Sequence, residues 1–315
     1  MSSRIAQFGL RLPLMAAPMS IASVPALIKA CMEAGIIGCF PTHNAAQDRG
    51  LRAWVEELLD FQQALRHAGG SPPTFAVNIN VSRHKPADRL KHEISVCRAS
   101  RLPIITSNAG NPAELVKQVH DWGGIVIHDA TTVEQAEKAV AVGVDGLMLV
   151  CAGAGGLGGL LSPFAFVPAV RRFFDGIIQL AGGVASGEGI AAAELLGADM
   201  VCMGTRFIAT KESGVPPGHK QMLAEASLSD VCWTERLVGI GANFLKPSLT
   251  NHGIDPNGKG DARYILPDGV KPWRDVWSGG HSTALVDDIL SVEDVISKLE
   301  REYVAARSYQ IAPVD

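Results

Sequence analysis

From the N-terminus to about residue 226, short apolar runs alternate with helical patterns at a steady spacing. This narrows the possible folds more than any other feature of the chain. The runs are Leu14–Ala17, Ile36–Phe40, Phe75–Asn78, Pro103–Thr106, Gly124–His128, Gly146–Val150, Ile177–Ala181 and Met200–Met203. They are continuously apolar and not alternating, the pattern of parallel strands buried on both faces. Amphipathic segments lie between them, such as Leu51–Arg66, Ala113–Asp121 and Val133–Val142. Thr132 stands in the capping position of the last, with Gln135 three residues on and Gly143 as its stop. Eight strands alternating with helices predict a closed (β/α)8 TIM barrel of the α/β class; an open doubly wound sheet shares the pattern. No Gly-x-Gly-x-x-Gly follows the first run, which disfavours a Rossmann dinucleotide fold.

A barrel of this kind takes about 250 residues, and the chain has 315. Residues 1–226 are read as the barrel. Residues 227–315 are read as a C-terminal extension packed on it within the same domain. Between 230 and 285, Trp, Gly, Pro and Asn follow no regular period, and unstructured stretches of that length are uncommon unless functional. The extension is expected to fold over the barrel mouth. A last helix, Val292–Ala306, carries Val292, Val295, Ile296 and Leu299 on one face.

A net charge of −4 gives no support to nucleic-acid or anionic-membrane binding, which need basic patches. The six cysteines have no Cys-x-x-Cys spacing, so no metal site is expected. Residues 4–30 resemble a signal peptide, but Pro13, Pro18 and Pro25 break the helix and favour strand, turn, helix. No run approaches the ~18 apolar residues of a transmembrane helix, and the cytoplasm is the expected location.

Active sites of barrels gather where strands end. The first strand ends in Ala17-Pro18-Met19-Ser20, small residues that leave room for a flat ring, unless they only make a turn. The third ends in Asn78-Ile79-Asn80, whose amides can bond a ligand or cap a turn. The fifth ends in His128-Asp129. The sixth runs into Cys151-Ala152-Gly153-Ala154-Gly155-Gly156-Leu157-Gly158-Gly159, and the last two end in Ala181-Gly182-Gly183 and Gly204-Thr205-Arg206. Glycines there let backbone N–H groups approach an anion, and loops seven and eight are the usual phosphate site of a barrel. A phosphorylated ligand is expected, most simply flavin mononucleotide (FMN).

With these motifs assembled, the chain resembles the nitronate monooxygenase family, formerly 2-nitropropane dioxygenases, which are FMN-dependent barrels. The resemblance spans roughly residues 10–285. It rests on Ala17-Pro18-Met19, Val77-Asn78, His128 to Thr132, Val144-Asp145-Gly146, Cys151 to Gly159, Ala181 to Gly183, Met203 to Phe207 and Asn243 to Ser248. It implies that Asn78 bonds the flavin and that Gly155 and Gly156 line a loop on its phosphate side. Gly182, Gly183, Gly204 and Thr205 would hold the phosphate, and Met19 would face the ring.

The family's sixth-strand loop reads Gly-Gly-His, and that histidine is its proposed base; here the position is Leu157. A positioned general base typically contributes about 10²–10⁴-fold. A preformed nitronate depends less on one than a neutral nitroalkane does. In the tail, His281 of Trp277-Ser278-Gly279-Gly280-His281 stands where the family usually has glutamine. His281 and His128 are therefore the candidate acid/base residues, with His43 as a weaker third. The resemblance implies an FMN-dependent oxidoreductase acting on a nitronate or similarly activated small carbon acid with O2. The alternatives are an NAD(P)H-dependent enoyl or enone reductase, or a flavin-binding protein without catalysis.

Overall fold

A computed structural model describes residues 2–308 apart from Gln47, Lys259 and Asp261. The strands run in chain order as β1 (Leu14–Ala16), β2 (Ile37–Pro41), β3 (Ala76–Asn80), β4 (Ile104–Asn108), β5 (Ile125–Ala130), β6 (Gly146–Val150), β7 (Gly156–Leu157), β8 (Ile177–Ala181) and β9 (Met200–Met203). All but β7 form a closed barrel in the order β1-β2-β3-β4-β5-β6-β8-β9. Parallel pairing of Leu14 with Val201 and of Met15 with Cys202 joins the last strand to the first. The fold is the (β/α)8 barrel expected from the spacing of the apolar runs.

Strand alternation sorts the barrel residues into two sets. Met15, Ile37, Cys39, Ala76, Ile104, Ile127, Met148, Ile177, Met200 and Cys202 pack together inside the barrel. Leu14, Phe40, Val77, Ile105, Val126, Leu147, Ile178 and Val201 pack outward in the core shared with the helices. The N-terminal 3-10 turn Ser3–Phe8 sends fully buried Ile5 into the inner set. At that same end Asp199 accepts the Ile178 N–H at 2.8 Å and pairs with Arg171 at 2.5 Å. The segment with signal-peptide character is thus strand β1 followed by the helix Pro25–Glu33.

The extension departs from the irregular reading of residues 230–285. Strands β10 (Val231–Thr234) and β11 (Ala242–Leu245) pair antiparallel, and β11 pairs in turn with β7 in the sixth-strand loop. Each has four residues or fewer and β7 lies far away in sequence, so no local period announces the sheet. The final helix, Val292–Ser308, buries Val292, Val295, Ile296 and Leu299. It crosses the helix Gly187–Leu196 so closely that a Cβ at Gly187 would lie 2.1 Å from the Tyr303 nitrogen.

Candidate active site

The C-terminal strand ends surround a cavity of about 440 Å³, within the range of small-ligand sites. Its floor continues the inward set of barrel residues: Asn78, Asn80, Asn108, Asp129, Met148, Val150, Ala181 and Cys202 line it. Met19, Asn78, Gly155, Gly156, Gly182, Gly183, Gly204 and Thr205 all line this one cavity. Asn78 lies in β3 and Gly156 in β7, and the others follow β1, β6, β8 and β9.

The glycines differ in what they do. Gly183 has φ +74°, and a Cβ there would meet nothing within 4 Å, so its backbone faces open space. Gly182, at φ +119°, would bring a Cβ within 2.9 Å of the Cys151 carbonyl. In the sixth-strand loop, a Cβ on Gly159 would lie 2.1 Å from the Val150 carbonyl, and one on Gly158 3.0 Å from Trp233. Those two are demanded by packing. Part of the glycine richness that suggests a ligand loop therefore serves the pairing of β7 with the tail. Thr205 is buried, and its hydroxyl accepts the Gly280 N–H at 3.0 Å, which leaves its own proton to donate. Arg206 turns away from the cavity to Asp288, at 2.6 Å.

The candidate histidines are not brought together. His281 is exposed and does not line the cavity, although Ser278 and Ser282 on either side do. Its N–H bonds the Gly153 carbonyl at 2.9 Å and its ring lies over Gly153, where a Cβ would come within 2.8 Å of Nδ1. His128 is also absent from the lining. Alternation along β5 turns Ile127 and Asp129 inward and His128 outward, where Nδ1 meets Ser107 Oγ at 2.8 Å. Burial pushes the His128 imidazole down to about 4, so the ring is neutral near pH 7. His43 does line the cavity, with Nε2 2.8 Å from Ser20 Oγ. Burial, followed by the charge of Arg89, holds its pKa below the ordinary value.

Several lining groups escape sequence reasoning. Asp129 is half-buried, and its Oδ1 has no hydrogen-bond partner among the described residues. Burial pushes this carboxyl up to about 7. Asn108 Oδ1 is likewise buried and unpartnered among the described residues. Strand alternation counted from Ile127 is the signal that would have separated Asp129 from His128. His219, 3% exposed, donates from Nε2 to the Ser278 carbonyl at 2.9 Å and stacks on Trp277 with centroids 5.2 Å apart. Trp273, stacked on Phe244 and held at φ +70°, also lines the cavity.

The unpartnered carboxyl and amide oxygens on the floor, the open glycine backbone at Gly183 and the Thr205 hydroxyl suit a ligand with a polar ring edge and a phosphate. The nitronate monooxygenase family model matches residues 2–253. The chain belongs to the nitronate monooxygenase family. A nitronate monooxygenase of Paraburkholderia phytofirmans is 26% identical over 93% of both chains. A 5-hydroxy-7a-methyl-1-oxo-octahydro-1H-indene-4-carboxyl-CoA dehydrogenase of Rhodococcus jostii is 28% identical over 56% of this chain and 49% of its own. Among solved structures, FabK from Thermotoga maritima superposes with a TM-score of 0.78 at 25% identity, covering 98% of each chain. The nitroalkane oxidase of Streptomyces ansochromogenes shares the fold at a TM-score of 0.78 and 22% identity, over 98% of this chain and 100% of its own. A nitronate monooxygenase family member of this fold is a flavin-dependent oxidoreductase with a small-molecule substrate. No helix among the described residues is long and apolar enough to cross a membrane.

Proposed function

We propose that the protein binds FMN in the cavity at the strand ends and oxidises a nitronate, or a similarly activated small carbon acid, with O2 as electron acceptor. The observation that carries this reading is the convergence of Met19, Asn78, Gly182, Gly183, Gly204 and Thr205 on one cavity. Bound FMN supplies the electron acceptor for carbon oxidation and passes the electrons on. Backbone N–H groups at Gly182, Gly183 and Gly204, with the Thr205 hydroxyl, would hold its phosphate. Asn78 donates to Thr106 Oγ1 at 3.1 Å, which orients its amide and leaves the carbonyl oxygen for the flavin edge. Asp129, neutral over part of the physiological range, can donate a hydrogen bond from the floor. Trp273 and the tail around Ser278 exclude water from above. Position 157, where the resemblance places the family's histidine, carries leucine, so no base stands there and proton abstraction from a neutral nitroalkane falls to another residue of the cavity.

A second reading, an NAD(P)H-dependent reductase of an activated enone or enoyl thioester, is favoured by the likeness to the Rhodococcus CoA-ester dehydrogenase. Anaerobic flavin reduction separates the two: reduction by ethylnitronate supports the first reading, and reduction by NAD(P)H alone supports the second. Gly204→Val tests the cofactor site itself. The Gly204 φ of −102° is open to any residue, and a Cβ there meets Met19 Sδ at an ordinary 3.6 Å. The variant is expected to fold and to lose FMN. A folded variant with full flavin content, or extraction of FAD from the parent, would overturn the assignment.

A further inference from the structure

Ser20 and His43 form a hydrogen-bonded pair on the side of the cavity opposite Leu157. In barrel order β2 and β6 stand four strands apart in a ring of eight. His43 follows β2, and Leu157 follows β6. Ser20 Oγ and His43 Nε2 are 2.8 Å apart, and both residues line the cavity and are half-buried.

The pair is built into the backbone. Asn44, buried beside His43, accepts the Ile21 N–H at 3.0 Å and donates to the carbonyls of Met19 and Ser23 at 3.0 and 3.1 Å. The Ser23 hydroxyl accepts the Met19 N–H and donates to the Ala17 carbonyl, each at 3.0 Å. These bonds hold the β1 loop so tightly that Ile21, a β-branched residue, stands at φ +67°. A branched side chain in the left-handed region is a strained outlier, and such strain collects at functional sites. Packing alone does not require the loop to be tied to the turn that carries a histidine.

We propose that His43, oriented by Ser20, is the base that takes the acidic proton of the carbon substrate, from the side of the mouth opposite Leu157. This rests on the reading above that the protein oxidises an activated carbon acid. In the step, Nε2–H donates to Ser20 Oγ, the C–H bond breaks, its electron pair stays with the substrate and delocalises onto the activating oxygens, and the proton forms an N–H bond at His43 Nδ1. The imidazolium keeps its Nε2–H bond to Ser20 Oγ and later releases the Nδ1 proton to solvent. The charged groups facing His43 are Arg89 and Lys85, which disfavour the imidazolium, and Glu93, which favours it. Glu93 is itself paired with both cations.

The test uses the flavin-loaded protein and two probes, neutral nitroethane and ethylnitronate, with steady-state turnover in air and anaerobic flavin reduction as readouts. His43→Gln keeps a hydrogen-bonding side chain and is expected to lower kcat/KM for nitroethane by about 10²-fold or more, with ethylnitronate changed by less than about threefold. In the parent, the acidic limb of the nitroethane profile should coincide with the His43 titration followed independently by NMR of the imidazole, and His43→Gln should remove that limb. Ser20→Ala is expected to keep the limb with a smaller loss. Equal losses on both probes, an unchanged nitroethane rate, or an NMR midpoint away from the acidic limb would each overturn the role of His43. If ethylnitronate fails to reduce the parent's flavin, the nitronate-oxidation reading falls, and this proposal falls with it.

Discussion

The Thr205 hydroxyl accepts a hydrogen bond from the backbone N–H of Gly280 at 3.0 Å, which fastens the C-terminal tail to the last strand end of the barrel. A Cβ on Gly280 would lie 2.3 Å from the Gly153 carbonyl, so tail and glycine loop meet backbone to backbone. Thr205→Val leaves a buried N–H without its acceptor and is expected to cost about 1–3 kcal/mol. Thr205→Ser should keep most of that stability. Urea unfolding of the three proteins checks this, and equal midpoints for Val and Ser would remove the pin from the account. Gly280→Ala should lift the tail from the loop and raise its protease sensitivity.

The Arg206–Asp288 pair should respond unequally to loss of its two members. The Arg206 side chain is 4% exposed, whereas that of Asp288 is 32% exposed. Asp288→Ala leaves the buried guanidinium only the backbone carbonyls of Ala209 and Asp288, and losing its charged acceptor is expected to cost about 1–3 kcal/mol. Arg206→Met leaves a carboxylate that water already reaches and is expected to cost less than half as much. Chemical denaturation of both variants measures the asymmetry; a reversed order would show that the packing of the arginine stem dominates.

Acid stability should reflect two buried histidines. His128 and His219 are held at about 4 by burial, below the ordinary value of 6.5. A lowered histidine pKa means that the unfolded chain binds more protons between those values. Stability is then complete above pH 6.5 and is lost as pH falls toward 4, by roughly 3 kcal/mol per group at most. Asp129 acts in the opposite sense: raised from 3.8 to about 7, its contribution is complete below pH 4 and lost as pH rises through 7. Melting temperatures between pH 4 and 8 should show His219→Gln flattening the acid limb and Asp129→Asn flattening the neutral one.

Leu157 is 45% exposed and lines the cavity, so a histidine there has room and solvent access. In the His43→Gln background, Leu157→His is expected to raise activity on neutral nitroethane toward the general-base range of about 10²-fold, with little change for the nitronate. Steady-state assays with both substrates decide it. Parallel gains would mean that the new side chain improves binding and not proton transfer.

Much of the fold was legible because a barrel strand is buried on both faces and each run is announced by its own residues. The helix Leu51–His67 begins where the pattern places it, and Thr132 caps the helix after β5 by accepting the Gln135 N–H at 3.2 Å. The cavity-lining glycines at the strand ends were legible because backbone approach needs a residue without a side chain, whatever surrounds it. The sheet of β7, β10 and β11 was hidden, because its strands find their partners only across the mouth.

The candidate histidines divide along the same line. Sequence alone marked His43, His128 and His281 as residues able to move a proton near neutral pH, since that follows from the imidazole itself. Which of them meets the cavity depended on strand phase and on what each neighbouring backbone bonded. Along β5 one step of the pleat turns Asp129 in and His128 out, and the His281 backbone N–H is committed to the Gly153 carbonyl. Sequence by itself determined the succession of strands and helices and the glycine backbone at their ends, because those are local properties. Only the tertiary structure decided which polar groups share the cavity, because strand phase and long-range hydrogen bonds exist only once the barrel has closed.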